Sequence, residues 1–341
     1  MPKFDYSSSI LPDLIRERIL LLDGAMGTMI QRLSLDERAV RGDRFEAHSK
    51  DLRNFPDILC LTHPEKITDI HLAYLEAGSD IIETNTFGAS PIGMLEYELP
   101  VSLVNEINRA AVDCARKAIE MSAKRSPNRP RFVAGSIGPT TRQMAISVDP
   151  NDASKRSTSF PEMVDSYRVQ VASLVSAGVD ILLPETAIDT LNLKACLFAI
   201  QDYFDQGGRR VPVMVSGTFD RGGRTFVSGQ SIEAFVAAVE HFPLLTIGMN
   251  CALGPDIMRQ HIEELAKVSN FCISCHPNAG LPNEMGQFDL GPNQMAEQVS
   301  EFARSGWLNI VGGCCGTTPD HIRAIALECK KFAPRPIPSR V

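Results

Sequence analysis

Three observations predict an α/β fold, and within it a single-domain (β/α)8 barrel of the TIM type with long βα loops on its C-terminal face. Eight short β-branched or aliphatic runs punctuate the 341 residues. Each gives way to a polar or glycine-rich turn, then to a stretch whose apolar residues recur three and four apart, the helical period. Apolar strands alternating with helices imply a parallel sheet covered by helices, and eight such units suggest closure. An open doubly wound sheet is the competing architecture. It requires a glycine-rich dinucleotide fingerprint and a suitable acid after the second strand, whereas "LDGAMGT" has only a loose glycine spacing and no such acid nearby.

In chain order the runs are "ILLLDGAMGT" (19–28), "DIIETNTFGAS" (80–90), "RFVAGSIGPT" (131–140) and "VDILLPETA" (179–187). They continue with "VPVMVSGTF" (211–219), "LLTIGMNCALGP" (244–255), "FCISCHPNAG" (271–280) and "LNIVGGCCGTTP" (308–319). Amphipathic stretches such as "PEKITDIHLAYLEAGS" and "MVDSYRVQVASLVSAGV" lie between them and end in small residues and glycine, as helix C-caps do. Segments 32–55, 140–162, 219–230 and 280–294 follow strands, precede helices and are rich in Asp, Arg, Gly and Pro. A barrel gathers such loops on its C-terminal face, where active sites sit. No composition break divides the chain. Residues 1–330 are expected to form the barrel and the Pro-rich 331–341 a tail or the start of a linker.

A net charge of −7 and a pI near 5.6 give no footprint for nucleic acid or an anionic membrane. No apolar run reaches the roughly 18 residues of a membrane span. Charges interrupt the N-terminal apolar run and no small-residue cleavage site follows, so no secretory signal is expected. Nine cysteines, an odd number without disulfide-framework spacing, fit a reducing, cytoplasmic compartment.

The strand ends supply the candidate chemistry: Asp23; Glu83, Thr84 and Asn85; Ser136; Glu185 and Thr186; Ser216 and Thr218; Asn250 and Cys251; Cys275, His276 and Asn278; Cys314 and Cys315. Cys251 ends the sixth run and the adjacent pair ends the eighth. Three thiolates with one open position is the ligand arithmetic of catalytic zinc. Neighbours on a regular strand point to opposite faces, so Cys314 and Cys315 can share an ion only if the backbone leaves strand geometry. Gly312, Gly313 and Gly316 are expected to permit that. Packing thiols or a vicinal disulfide remain alternatives for the pair. Cys60, Cys114, Cys196 and Cys329 read as small buried hydrophobes, and Cys272 as core. Cys275 is a rival ligand, and His276 is either a ligand or a satisfied pocket histidine.

Taken together, "LLLDGAMGTMIQ", "AGSDIIETNTFGAS", "FVAGSIGPT", "ILLPETAIDTLNLKA", "GMNCALGPD", "HPNAGLPN" and "NIVGGCCGTTPDHI" resemble the homocysteine-binding module of cobalamin-dependent methionine synthase. More broadly they resemble the zinc-dependent homocysteine S-methyltransferases, over about residues 10–330. The resemblance implies a barrel enzyme whose Zn2+ is held by Cys251, Cys314 and Cys315, with the thiolate of L-homocysteine completing the set. It implies Asp23 and Glu185 on the substrate ammonium, the amides of Gly24 and Thr84 on its carboxylate, and Ser136 and Asn250 among the substrate contacts. The expected donor is methylcobalamin presented by another module or protein, with docking at loops 32–55 and 280–294. Betaine or S-methylmethionine is the alternative donor, and a non-catalytic zinc- or thiol-binding barrel is the alternative of another class.

Overall fold

A computed structural model describes residues 10–337. Its eight strands are β1 (Leu20–Leu21), β2 (Ile81–Glu83), β3 (Phe132–Ile137), β4 (Ile181–Pro184), β5 (Met214–Gly217), β6 (Thr246–Asn250), β7 (Cys272–His276) and β8 (Ile310–Val311). Each falls within one of the eight apolar runs. Parallel ladders give the orders β1-β8-β7-β6-β5 and β2-β3-β4. Single parallel bridges, Leu22 to Ile81 and Leu182 to Val213, close the two remaining seams.

Strand periodicity sorts the side chains into two layers. Leu20, Ile81, Phe132, Ile181, Met214 and Ile310 fill the barrel axis, closed from below by Leu11 and Ile15 of the helix Leu11–Glu17. The alternating Leu21, Ile82, Val133, Leu182, Val215 and Val311 face the surrounding helices. Those helices pack neighbour on neighbour, and the last, Pro319–Cys329, packs against Pro64–Ala77 to complete the ring. Local signals set their ends. Ser159 and Glu162 form a capping box, and Gly78 and Gly178 end their helices at φ of +120° and +103°, where a Cβ is disfavoured.

Strand β7 settles the neighbouring cysteines by parity. Cys272 packs in the barrel interior, whereas Cys275 belongs to the outer layer, with its Sγ 3.4 Å from Met258 Sδ. Cys275 is therefore no rival ligand. Burial pushes its thiol well above the ordinary range. Cys60, Cys114, Cys196 and Cys329 are buried as expected.

The Pro-rich end departs from a tether. Its described part, through residue 337, is docked under the barrel by the buried Arg335. The Arg335 guanidinium donates to the carbonyls of Ala266, Ser269 and Phe271 at 2.8–3.0 Å, and Asn309 donates to the Arg335 carbonyl at 2.9 Å. Residues 338–341 lie outside the described part. No helix among the described residues is long and apolar enough to cross a membrane.

Candidate active site at the C-terminal face

The chain leaves β6 abruptly. Cys251 and Ala252 take φ of +63° and +58°, two left-handed non-glycine residues in succession. Such geometry costs roughly 1–2 kcal/mol per residue. It turns Cys251 over the barrel mouth, where its amide donates to the His276 carbonyl at 3.2 Å. After β8 the chain is held between the ends of β7 and β1. Gly312 donates to the Cys275 carbonyl, Gly313 to that of Asp23 and Cys314 to that of Pro277, at 3.0, 3.1 and 2.8 Å. Only one of the three glycines supplies unusual backbone freedom, Gly316 at φ +81°. The other two permit close approach: a Cβ on Gly312 would lie 2.7 Å from the Asp23 carbonyl, and one on Gly313 2.5 Å from Thr317.

These turns bring the sulfurs of Cys251, Cys314 and Cys315 within 4.8 Å of one another, with Cys251 and Cys315 at 3.7 Å. A tetrahedral ion with bonds of about 2.3 Å separates two sulfur ligands by about 3.8 Å. The Cys251–Cys315 spacing matches that of two thiolates on one zinc ion, and the third sulfur lies close enough to join them. In the ion-free chain, hydrogen bonds from Cys314 and Cys315 pull the Cys251 thiol down to about 3. The same contacts push Cys314 up, and Cys315 to about 11.

Beneath the sulfurs lies a carboxylate floor. The ligand atoms of Glu83, Glu185 and His276 also lie within 4.8 Å of one another. Ser136 donates its hydroxyl to Glu185. Asp23 sits behind, accepting the Glu83 amide at 3.0 Å through Oδ2, while its buried Oδ1 has no partner among the described residues. Burial raises the Glu185 carboxyl to about 7, and burial with repulsion from Glu185 raises Glu83 and Asp23 well above their ordinary range. Burial also lowers His276 to about 4, which favours a neutral imidazole, and its Nε2 has no partner among the described residues. Sulfurs and carboxylates share one cavity of about 400 Å³, walled also by Gly24, Met26, Phe87 and Phe288.

The sequence profile of the homocysteine S-methyltransferase family matches residues 20–329. The chain belongs to the homocysteine S-methyltransferase family. Two solved structures of the homocysteine methyltransferase MmuM from Escherichia coli share its fold. The oxidized form superposes with a TM-score of 0.74 at 22% identity, covering 93% of this chain and 98% of that one. The metallated form gives 0.73 at 23%, covering 93% and 99%.

Within this family member, the three predicted thiols, Glu185, Ser136 and Gly24 all reach the cavity. Three expected contacts are placed otherwise. Thr84 also lines the cavity, but its amide is engaged in the sheet, donating to the Ala134 carbonyl at 2.9 Å. Asn250 is wholly buried and bonded to neighbours, and Asp23 stands behind Glu83. Glu83 and His276, strand-end residues without an assigned role in the sequence reading, instead form the floor. Their signal was parity: each lies an even number of residues beyond an inward side chain, Ile81 or Cys272.

Proposed function

We propose that this enzyme transfers a methyl group to the sulfur of homocysteine, giving methionine. The observation that carries the reading is the placement of three convergent thiols above buried carboxylates in one cavity. A small amino acid with a thiol at one end and an ammonium at the other matches both. Cys251, Cys314 and Cys315 would hold Zn2+, which supplies a Lewis acid able to keep the substrate sulfur as thiolate at neutral pH. Glu185, oriented by the Ser136 hydroxyl, and Glu83 accept the ammonium. Neutral His276 adds an acceptor without competing charge. The substrate carboxylate then faces the Gly24 amide and the start of the helix Met26–Arg32, the end of a helix that favours anions. Phe87 and Phe288 narrow the cavity against water.

For the donor we infer a small onium compound such as S-methylmethionine or betaine. The support is the cavity itself, which is small, lined by acids and thiols, and has no Lys or Arg in its wall among the described residues. One observation favours methylcobalamin as a second reading: a rim of exposed apolar residues on the loops after several strands, including Phe87, Val148, Phe226 and Met285, the last 81% exposed. A carrier module could dock there.

The test is direct. Zinc-loaded protein is incubated with homocysteine and, separately, S-methylmethionine, betaine or methylcobalamin, and methionine is measured by mass spectrometry. An onium donor is expected to serve. Methionine from methylcobalamin alone would replace the donor assignment, and none from any donor would support the non-catalytic barrel.

A further inference from the structure

Asn250 ends β6, and the Cys251 ligand follows it. Its Oδ1 accepts two hydrogen bonds, from the Ser216 hydroxyl at 2.7 Å and the Thr186 amide at 3.0 Å. With both acceptor positions filled, the side-chain amide cannot flip without losing them. Nδ2 therefore faces the opposite way, donating to the Thr186 hydroxyl at 2.8 Å and to Cys314 Sγ at 3.9 Å. Because Nδ2 carries only donors, the Cys314 sulfur can only be the acceptor there. Thr186 is itself held at φ +55°, a conformation a β-branched residue rarely adopts. That strained residue directly follows Glu185 in the chain. It thus links the carboxylate floor to the thiol cluster through Asn250.

We propose that Asn250 is a positioning residue that sets the electron density on the Cys314 ligand. An N–H···S hydrogen bond withdraws density from a thiolate. An ion held by that sulfur would be a stronger Lewis acid, and a thiol bound to it would lose its proton at lower pH. Groups next to ligating atoms tune metal sites in this way. Ser216 and Thr186 hold the amide in the one orientation that presents N–H to sulfur. The inference rests on the reading of the three thiols as a metal site, and its test separates the two.

Wild-type protein is loaded with 113Cd and labelled with 15N. Scalar coupling between the metal and the Asn250 side-chain amide proton is expected across the hydrogen bond. Two variants, loaded with Co2+, complete the experiment. Asn250→Asp keeps an acceptor for Ser216 and Thr186 but replaces the donor. Its sulfur-to-cobalt charge-transfer band is expected at lower energy than in wild type, and the acid limb of kcat, which reports the bound complex, at higher pH. Ser216→Ala loses one anchor but keeps the donor, and its band is expected to stay in place. If wild type takes up neither Cd2+ nor Co2+, the metal site itself falls. If it takes up both with no coupling to Asn250, or if Asn250→Asp binds Co2+ with an unmoved band, only this inference falls.

Discussion

Glu185→Gln tests the carboxylate floor with little change of shape. Glutamine keeps a carbonyl oxygen for the Ser136 hydroxyl, so the barrel and the thiol cluster should be undisturbed. What is lost is one buried negative charge. An ammonium about 4 Å from a carboxylate gains roughly 4 kcal/mol at an effective dielectric constant near 20. Removing one member of a buried charge pair costs about 2–5 kcal/mol. Glu83 remains alongside, which argues for the lower half of that range, about 3 kcal/mol or roughly 100-fold in kcat/KM for homocysteine. The pH dependence gives a second reading. Burial holds the Glu185 proton up to about 7, and only the ionised carboxylate attracts an ammonium. Wild-type kcat/KM should therefore fall as pH drops through about 7, since this ratio reports groups of the free enzyme. The variant should lack that limb. The assay compares initial rates of zinc-loaded protein with homocysteine and with 4-mercaptobutanoate, which lacks the amino group. Wild type should prefer homocysteine about 100-fold by the same charge term, and the variant should prefer it little. An undiminished preference together with an intact acid limb would refute the role given to Glu185.

Three further outcomes follow from the same geometry. Cys314→Ser should abolish zinc retention against a chelator and turnover with it, measured by metal analysis and methionine formation; near-normal values would exclude the thiol site. Gly316→Ala places a Cβ 2.4 Å from Phe288 Cβ at φ +81°. The left-handed cost of roughly 1–2 kcal/mol and overpacking of about 1–3 kcal/mol should lower stability by about 3 kcal/mol in urea unfolding. Asp57 is buried and accepts the Gly88 amide at 2.9 Å, and burial raises its carboxyl to about 7. A raised folded value means stability present below the unfolded value near 4 and lost as pH rises through 7. Asp57→Asn should therefore be more stable than wild type at pH 8, by on the order of 4 kcal/mol, with the gap closing near pH 4 in urea titrations.

The barrel was legible because its determinants are local and periodic. Every strand announced itself as an apolar run, and the alternation that fills the axis with Leu20 and Ile81 also sends Leu21 and Ile82 to the helices. The thiol triad was legible because all three cysteines sit at strand ends, the adjacent pair flanked by glycines. What stayed hidden depends on contacts between distant residues. No local pattern shows that Arg335 meets three carbonyls from the 266–271 segment, so a docked tail looked like a tether. The left-handed turns at Thr186, Cys251 and Ala252 carry no glycine to mark them. Cys275 was misjudged as a ligand rival because nearness to the strand end outweighed parity. The same parity places His276, one residue on, inside the cavity.

The charges of the site bear on which donor it can use. Three cysteinates and one divalent ion sum to one negative charge. Below them Glu83, Glu185 and Asp23 crowd into a buried space where their proton affinities are all raised, so they do not readily ionise together. In the proposed binding mode the substrate ammonium would relieve this by neutralising the floor, while its thiolate would add negative charge at the sulfurs. The occupied cavity would then be anionic on the side where a methyl group must arrive, and among the described residues the wall has no Lys or Arg to offset it. A sulfonium donor is drawn toward that charge. In the proposed reaction, transfer of its methyl to the thiolate would turn an ion pair into two neutral thioethers, which the site would hold less strongly than either ion. One electrostatic arrangement thus favours both entry of the donor and release of the products.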